Sequence, residues 1–214
     1  MTITDPSSRK RRRLTPLALI AGAVGTVLLA LSLTGTLSGF VASITNTTNT
    51  AGTGALVMQE KDSTGTITCL STNGGSVSTN AATCSTINKF GGNLAMVPGT
   101  AVSTNITITN TGTVPANTFT LTPGATCTQS ANGAANGTAT DLCAKLTVVI
   151  TSGATTVYSG TVAALAGHAP FALATPVAPG TTVPFTFAVT LASTADNTYQ
   201  GLQASLPLTW AFAS

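Results

Sequence analysis

The chain alternates between apolar and polar residues almost throughout from residue 46 onward, and this pattern restricts that part to β-structure. In the run AVSTNITITN, Val102, Ile106 and Ile108 share one face of an extended strand, whereas Thr107 and Thr109 share the other. Alternation of this kind is typical of a strand with one buried face. A long amphipathic helix is disfavoured, because Gly, Thr, Asn and Pro recur too often for an apolar face of helical period.

Turn residues divide the alternating sequence into short runs. The predicted strands are residues 53–60, 65–70, 101–110, 116–121, 144–151, 155–159 and 205–212, together with the run that follows the turn at 178–181. Thr and Val favour strands because their branched Cβ atoms pack well on a pleated surface. Short strands with frequent turns predict an all-β fold. We expect one domain over residues 54–214, an antiparallel β-sandwich of the jelly-roll or immunoglobulin-like kind.

One motif occurs twice in the chain. The segment VPGTAVSTNITIT, which begins at Val97, aligns without gaps with APGTTVPFTFAVT, which begins at Ala178. Both segments place Pro-Gly-Thr before an alternating strand. One explanation is that Pro-Gly forms a generic type II turn. The other is that two equivalent edges of a sandwich are each entered by the same turn.

Charged residues are distributed unevenly. Five of the eight Lys and Arg residues form a single run at positions 9–13. The charged residues beyond position 40 are Lys61, Lys89, Lys145, Glu60, Asp62, Asp141 and Asp196. The basic pI therefore belongs to the N-terminus, and without a basic patch in the body no nucleic-acid partner is expected. A body with so few charges has little repulsion between copies, which permits self-association.

The N-terminus has the pattern of an export signal. A basic run is followed by an apolar stretch, residues 14–33, and then by small residues. We predict a signal peptide over residues 1–39 that a signal peptidase removes, leaving a mature protein that begins between residues 38 and 43. The predicted cleavage region consists of Thr36, Ser38, Gly39 and Phe40. The alternative is an uncleaved anchor, because the apolar stretch approaches the ~20 residues that span a bilayer. In both cases the body is extracellular and meets the membrane only through this segment.

The cysteines agree with export. They are Cys69, Cys84, Cys127 and Cys143. An even number of cysteines in an exported protein implies disulfides. Although three connectivities are possible, short separation in sequence favours pairing Cys69 with Cys84 and Cys127 with Cys143. A zinc site is not expected, because there is no close C-x-x-C pair and no histidine beside a cysteine.

No set of residues suggests catalysis. The single histidine, His168, lies in the turn-like sequence GHAP, and no G-x-S-x-G or H-E-x-x-H sequence occurs. The carboxylates are scattered, and Glu60 with Asp62 are expected to form a solvated charge pair around a turn. We therefore predict that the protein is not an enzyme and uses no cofactor or metal.

Three segments, taken in order, carry a resemblance. The first is FVASITNTTNTAGTGALVMQE, in which residues 53–56 read T-G-A-L. The second is ITITNTGTVPA, and the third is ADNTYQGLQASLPLTWAF, with Asn197, Gln200 and Gly201 in its motif. Together they resemble the TasA/camelysin-like family of secreted Gram-positive proteins, in a Thr-rich, cysteine-bearing form similar to an actinobacterial branch. The resemblance implies a jelly-roll-like sandwich, export through a dedicated signal peptidase, and a role as a biofilm-matrix or surface fibre subunit.

The first function that we consider is self-assembly by strand addition, in which the partner of the chain is another copy of itself. Residues 40–53 are free of charge and rich in Thr and Asn, so that after export they could pair with an exposed sheet edge of the next copy. The predicted donor residues are Phe40, Val41, Ile44 and Thr45. The alternative for this segment is a flexible linker.

The second function is a monomeric or membrane-tethered extracellular binding module. Its loops would recognise a ligand, and Tyr158, Tyr199 and Trp210 are the candidate contact residues. A camelysin-like peptidase is a minor alternative, because no residues of this chain carry a peptidase site.

Overall fold

A computed structural model describes residues 44, 46, 48–74, 79–133 and 135–214 of the chain. The strands within these ranges are β1 (Met58–Asp62), β2 (Thr68–Leu70), β3 (Ala101–Asn110), β4 (Thr118–Pro123), β5 (Thr128–Ala131), β6 (Leu146–Ser152), β7 (Thr155–Thr161), β8 (Phe171–Ala172), β9 (Thr182–Leu191), β10 (Leu202–Ser205) and β11 (Leu208–Ala213). The helical segments are α1 (Leu142–Lys145), α2 (Val162–Leu165) and a 3-10 turn at Asn197–Tyr199.

The strands form three sheets in which every pair is antiparallel. The largest sheet has six strands in the order β2-β1-β3-β9-β6-β7. A three-stranded sheet, β11-β4-β8, and a two-stranded sheet, β10-β5, complete the described part of the chain. The predicted all-β sandwich is confirmed. Residues 52–214 form one compact unit.

The core lies between the six-stranded and three-stranded sheets and follows from the alternation in the sequence. In β9, Phe185 and Phe187 are buried, whereas Thr186 between them is partly exposed. Phe119 of β4 meets Phe185 edge to face with ring centroids 5.8 Å apart, and Trp210 of β11 lies 4.6 Å from Phe185. Because burial of each large apolar side chain contributes about 1.5–3 kcal/mol, this aromatic cluster is a main source of stability between the two layers.

The repeated Pro-Gly-Thr motif leads into two neighbouring strands at the centre of the large sheet. The N–H of Gly99, before β3, donates to the carbonyl of Leu191 at the end of β9 (2.8 Å). The N–H of Gly180, before β9, donates to the carbonyl of Asn110 at the end of β3 (2.7 Å). Each turn therefore caps the end of the other strand, and the β3–β9 pair has a local two-fold symmetry. Of the two explanations for the repeat, that of two equivalent sheet edges is wrong, because β3 and β9 are neighbours inside the sheet.

The sequence prediction differs from the structure at several strand ends. Strand β1 starts at Met58 rather than residue 53, because the carbonyls of Ala55 and Val57 accept hydrogen bonds from a turn around Thr113. The run predicted at 144–151 starts within α1. The run at 205–212 belongs to two strands separated at Pro207, which has no N–H to donate to a ladder.

Both predicted disulfides, Cys69–Cys84 and Cys127–Cys143, are present. They indicate an oxidising compartment, in agreement with an extracellular location. The predicted signal peptide, residues 1–39, lies outside the described residues. Within the described ranges there is no helix that is long and apolar enough to cross a membrane.

Candidate functional site

The two layers of the sandwich differ in width, and β10 and β11 form one of the unpaired edges of the narrower layer. Six strands face a layer in which β11 and β10 are terminal strands, each paired on one side only, with β4 and β5 respectively. The two strands follow one another along the chain and present one interrupted edge from Leu202 to Ala213. A cleft of about 1530 Å³, which we name the edge groove, runs beside this edge.

A loop forms the opposite wall of the edge groove. The loop follows Cys84, which the disulfide ties to β2, and its Ile87 is buried in the core. At Gly91 a Cβ atom would lie within about 3 Å of Val102 and Thr104, so the loop runs directly against β3. Asn132 Nδ2 donates to the carbonyl of Leu94 (3.1 Å). The second layer has no further strand over this part of β3, and the loop covers the large sheet there instead.

The floor of the groove is mostly apolar. The buried apolar side chains that line it are Ile87, Leu142, Leu146, Val189, Leu191 and Leu206. An unpaired edge strand beside an apolar groove resembles the acceptor site in complexes where an added strand completes a sandwich. In such complexes main-chain hydrogen bonds supply affinity and pockets for alternate side chains supply specificity.

A buried ion pair lies at the β11 end of the groove. Glu60 of β1 has only 7% of its surface exposed, and its Oε1 accepts from Lys89 Nζ (2.7 Å) and from Trp210 Nε1 (3.3 Å). The expectation of a solvated Glu60–Asp62 pair is wrong for Glu60, because the alternation of β1 turns its side chain toward the core. The partners could not be found from spacing, since they lie on a distant loop and on the C-terminal strand.

Asp62 behaves as expected for a residue at a turn. It is partly exposed at the end of β1, where Thr64 Oγ1 (2.6 Å) and the N–H of Ile67 (2.9 Å) donate to its carboxylate. The hydrogen bond from Thr64, followed by that from Ile67, lowers the pKa of Asp62 from its ordinary value. This carboxylate therefore closes the β1–β2 turn and takes no part in the groove.

The other long terminal strand, β7, is a poorer acceptor. It carries no charged residue, but its pairing with β6 shifts between Ile150 and Thr151, which marks a β-bulge. Bulges twist an edge away from further pairing and are one of the ways in which proteins protect sheet edges. Of the two edges, the one at β10–β11 is the better candidate for strand addition.

Most of the predicted donor and cleavage residues lie outside the described ranges, namely Thr36, Ser38, Gly39, Phe40, Val41 and Thr45. Ile44 is described and is 98% exposed. All described positions from residue 46 to residue 54 are also exposed, and none of them belongs to a strand.

The candidate ligand-binding aromatics are dispersed. Trp210 and Tyr199 line the groove, whereas Tyr158 packs elsewhere against Phe171 (5.8 Å between ring centroids). Tyr199 donates its hydroxyl hydrogen to Asp141 (2.7 Å), and this bond raises the pKa of Tyr199 to about 12. The structure does not bring the three aromatic residues together into one site.

The described residues contain no arrangement that favours catalysis. His168 is exposed, stacks on Phe171 at 4.3 Å, and has Nδ1 2.7 Å from the carbonyl of Ala169. In the part of the chain that the structure describes, no three His, Cys, Asp or Glu side chains are grouped to hold a metal ion. Compared with models of known protein families and with curated protein sequences, the chain shows no match.

Proposed function

We propose that this chain is a secreted structural subunit that assembles by strand addition into a fibre or a cell-surface matrix. Residues 40–53 of one copy pair with the β10–β11 edge of the next copy and cover its edge groove. The observation that carries the proposal is an unpaired strand edge beside a groove whose floor consists of core side chains.

The composition of the acceptor edge and of the donor segment supports this proposal. Between Leu202 and Ala213 the acceptor edge has no charged residue, and Pro207 is its one proline. Proteins ordinarily protect a sheet edge with charges or prolines, because an unprotected edge pairs with other chains. The segment 40–53 is also uncharged, so its pairing with this edge would not bury an unpaired charge of the segment.

Export is part of the same proposal. The two disulfides support passage to an oxidising compartment, and a signal peptidase is the partner that would release the mature N-terminus. The three ordered segments that resemble the TasA/camelysin-like family agree with a secreted fibre or biofilm-matrix subunit, and we propose membership of that family on this basis. We propose no enzymatic activity and no cofactor.

A second candidate function, an extracellular binding module, is favoured by the groove itself. It is a concave cleft of about 1530 Å³ that is larger than the ~300–1,000 Å³ of ordinary small-molecule pockets, so its ligand would be an extended one, and it presents Trp210 beside a buried ion pair. In this case the protein would remain monomeric, and a ligand rather than a strand would occupy the groove.

The substitution Ile44→Pro tests the assembly proposal. A proline in the middle of an added strand removes an N–H from the ladder, so polymer formation by the mature protein should fall strongly. Ile44→Val is the matched control, because it retains the N–H and the β-branched shape. Sedimentation measures the polymer fraction and circular dichroism checks folding. Equal polymer yields from the two variants would contradict strand addition through this segment.

A further inference from the structure

The two ends of the edge groove differ in chemistry. At the β10 end the floor is apolar, formed by Leu142, Leu146 and Leu191. The helix α1 packs against β10 there, and the N–H of Leu142 donates to Gln129 Oε1 (2.8 Å) in the neighbouring strand β5. Asp196 stands at the rim of this end but is exposed to solvent.

The β11 end of the groove contains the ion pair of Glu60 and Lys89 together with Trp210. Only seven charged residues follow position 40, and two of them are used here with side chains about nine-tenths buried. A buried ion pair adds little stability compared with apolar side chains of similar volume, and its best-attested role is to fix the register of packed elements. Here the pair joins β1, the loop at Lys89 and β11, and it places two charges beside the open strand edge.

The segment 40–53, like the groove, has an apolar part and a polar part. In an extended strand Phe40, Ala42 and Ile44 share one face, and from Asn46 onward that face becomes polar. The segment has sufficient length, since residues 40–53 span about 45 Å when extended and the edge from Leu202 to Ala213 spans about 40 Å.

We infer that Glu60, Lys89 and Trp210 determine the direction of the incoming strand, so that residues 40–53 of a second copy lie parallel to β10 and β11. This inference rests on the proposed function. The apolar first part of the segment covers the apolar floor beside β10, and the Asn- and Thr-rich second part lies beside the ion pair.

The antiparallel direction would place the apolar part of the segment beside the ion pair. It would press Phe40 and Ile44 against Glu60 and Lys89, and apolar side chains offer no hydrogen bond to the donors and acceptors that the ion pair leaves free. Asn and Thr side chains can both donate and accept hydrogen bonds, so the parallel direction supplies partners for these groups. Glu60 and Lys89 are thus specificity-determining residues of the acceptor.

Cross-linking between variants that each carry one added cysteine tests the direction. If the donor is an extended strand, Ser43 and Asn49 lie on the face opposite to Ile44. On the acceptor, Gln203 and Thr209 are exposed. The parallel direction brings Ser43→Cys of one copy near Gln203→Cys of another, and Asn49→Cys near Thr209→Cys. The antiparallel direction brings together Ser43→Cys with Thr209→Cys, and Asn49→Cys with Gln203→Cys. Mixed pairs of variants are oxidised mildly, and peptide mapping confirms that the native disulfides are unchanged.

We expect the two parallel combinations to give at least about ten times more cross-linked heterodimer than the two antiparallel ones. A preference for the antiparallel combinations, in protein that still polymerises, would overturn the direction but leave strand addition intact. Polymers without cross-links in any combination would show that residues 40–53 are not the donor. They would overturn both the direction and strand addition through this segment. Protein that neither polymerises nor cross-links would refute the proposed function itself.

The double variant Glu60→Leu/Lys89→Met tests the role of the ion pair. It replaces the two charges with apolar side chains of similar volume, and circular dichroism verifies its fold. We expect the parallel preference to disappear, with both sets of cross-links formed in similar amounts. If the double variant retains the full preference, Glu60 and Lys89 do not determine the direction.

Discussion

At the scale of single residues, the buried pair of Glu60 and Lys89 is the least expected feature of the chain. Lys89→Met should leave the Glu60 carboxylate buried without its cation and lower the free energy of unfolding by about 3–5 kcal/mol. Glu60→Leu/Lys89→Met removes both charges and should recover most of that loss. Denaturant unfolding measures the stability of both variants. If the two are destabilised equally, the loss in Lys89→Met does not come from leaving Glu60 without its cation.

Tyr199 provides a second test at this scale. Its pKa is about 12 because the hydroxyl group donates to Asp141 and the carboxylate charge opposes ionisation. Since the folded-state pKa is raised, the stabilisation is complete below the ordinary value of 10.0 and is lost as pH rises toward about 12. Asp141→Ala should return the pKa of Tyr199 toward 10.0 and remove this dependence.

The titration is measured from phenolate absorbance in a Tyr158→Phe background, which leaves a single tyrosine. That background is needed because burial also raises the pKa of Tyr158. An unchanged Tyr199 titration in the Asp141→Ala protein would contradict the assigned hydrogen bond.

At the scale of elements, the β3–β9 pair depends on its two turns. Gly99 and Gly180 have φ values of 81° and 78°, which are unfavourable for residues with a Cβ atom. Gly99→Ala and Gly180→Ala should each lower the free energy of unfolding by about 1–2 kcal/mol. The effects should add, because the turns lie at opposite ends of strands about 30 Å long.

Gly133→Ala is the control for both turn substitutions. Gly133 does not have a positive φ, and a Cβ atom there would meet nothing within 4 Å. It should therefore leave thermal and denaturant unfolding almost unchanged. A loss of stability at Gly133 equal to that at Gly180 would mean that backbone conformation is not the cause.

Alternation along the sequence was sufficient to predict the central strands, since one buried face produces a local signal that does not depend on partners. Strand β3 begins and ends where the pattern predicts, at Ala101 and Asn110. The edge groove and the burial of Glu60 could not be predicted in this way. Both depend on the order of strands in the sheets and on contacts with Lys89 and Trp210, which are remote in sequence.

At the scale of the whole molecule, the described residues separate into a folded body and an exposed segment before it. Among the described residues, the buried apolar side chains all lie at or beyond Ile87, whereas the described positions from 44 to 54 are exposed. Removal of residues 40–53 should therefore leave a folded, disulfide-bonded sandwich. The same removal deletes the donor strand and keeps the acceptor edge, so folding and assembly become separable.

The most direct test of the account is sedimentation of the mature protein, beginning at Phe40, beside the same protein without residues 40–53. Circular dichroism and disulfide mapping on the same samples establish that both are folded. We predict polymers from the mature protein and only monomers from the truncated one. A mature protein that stays monomeric at high concentration, or a truncated protein that still polymerises, would contradict assembly by strand addition.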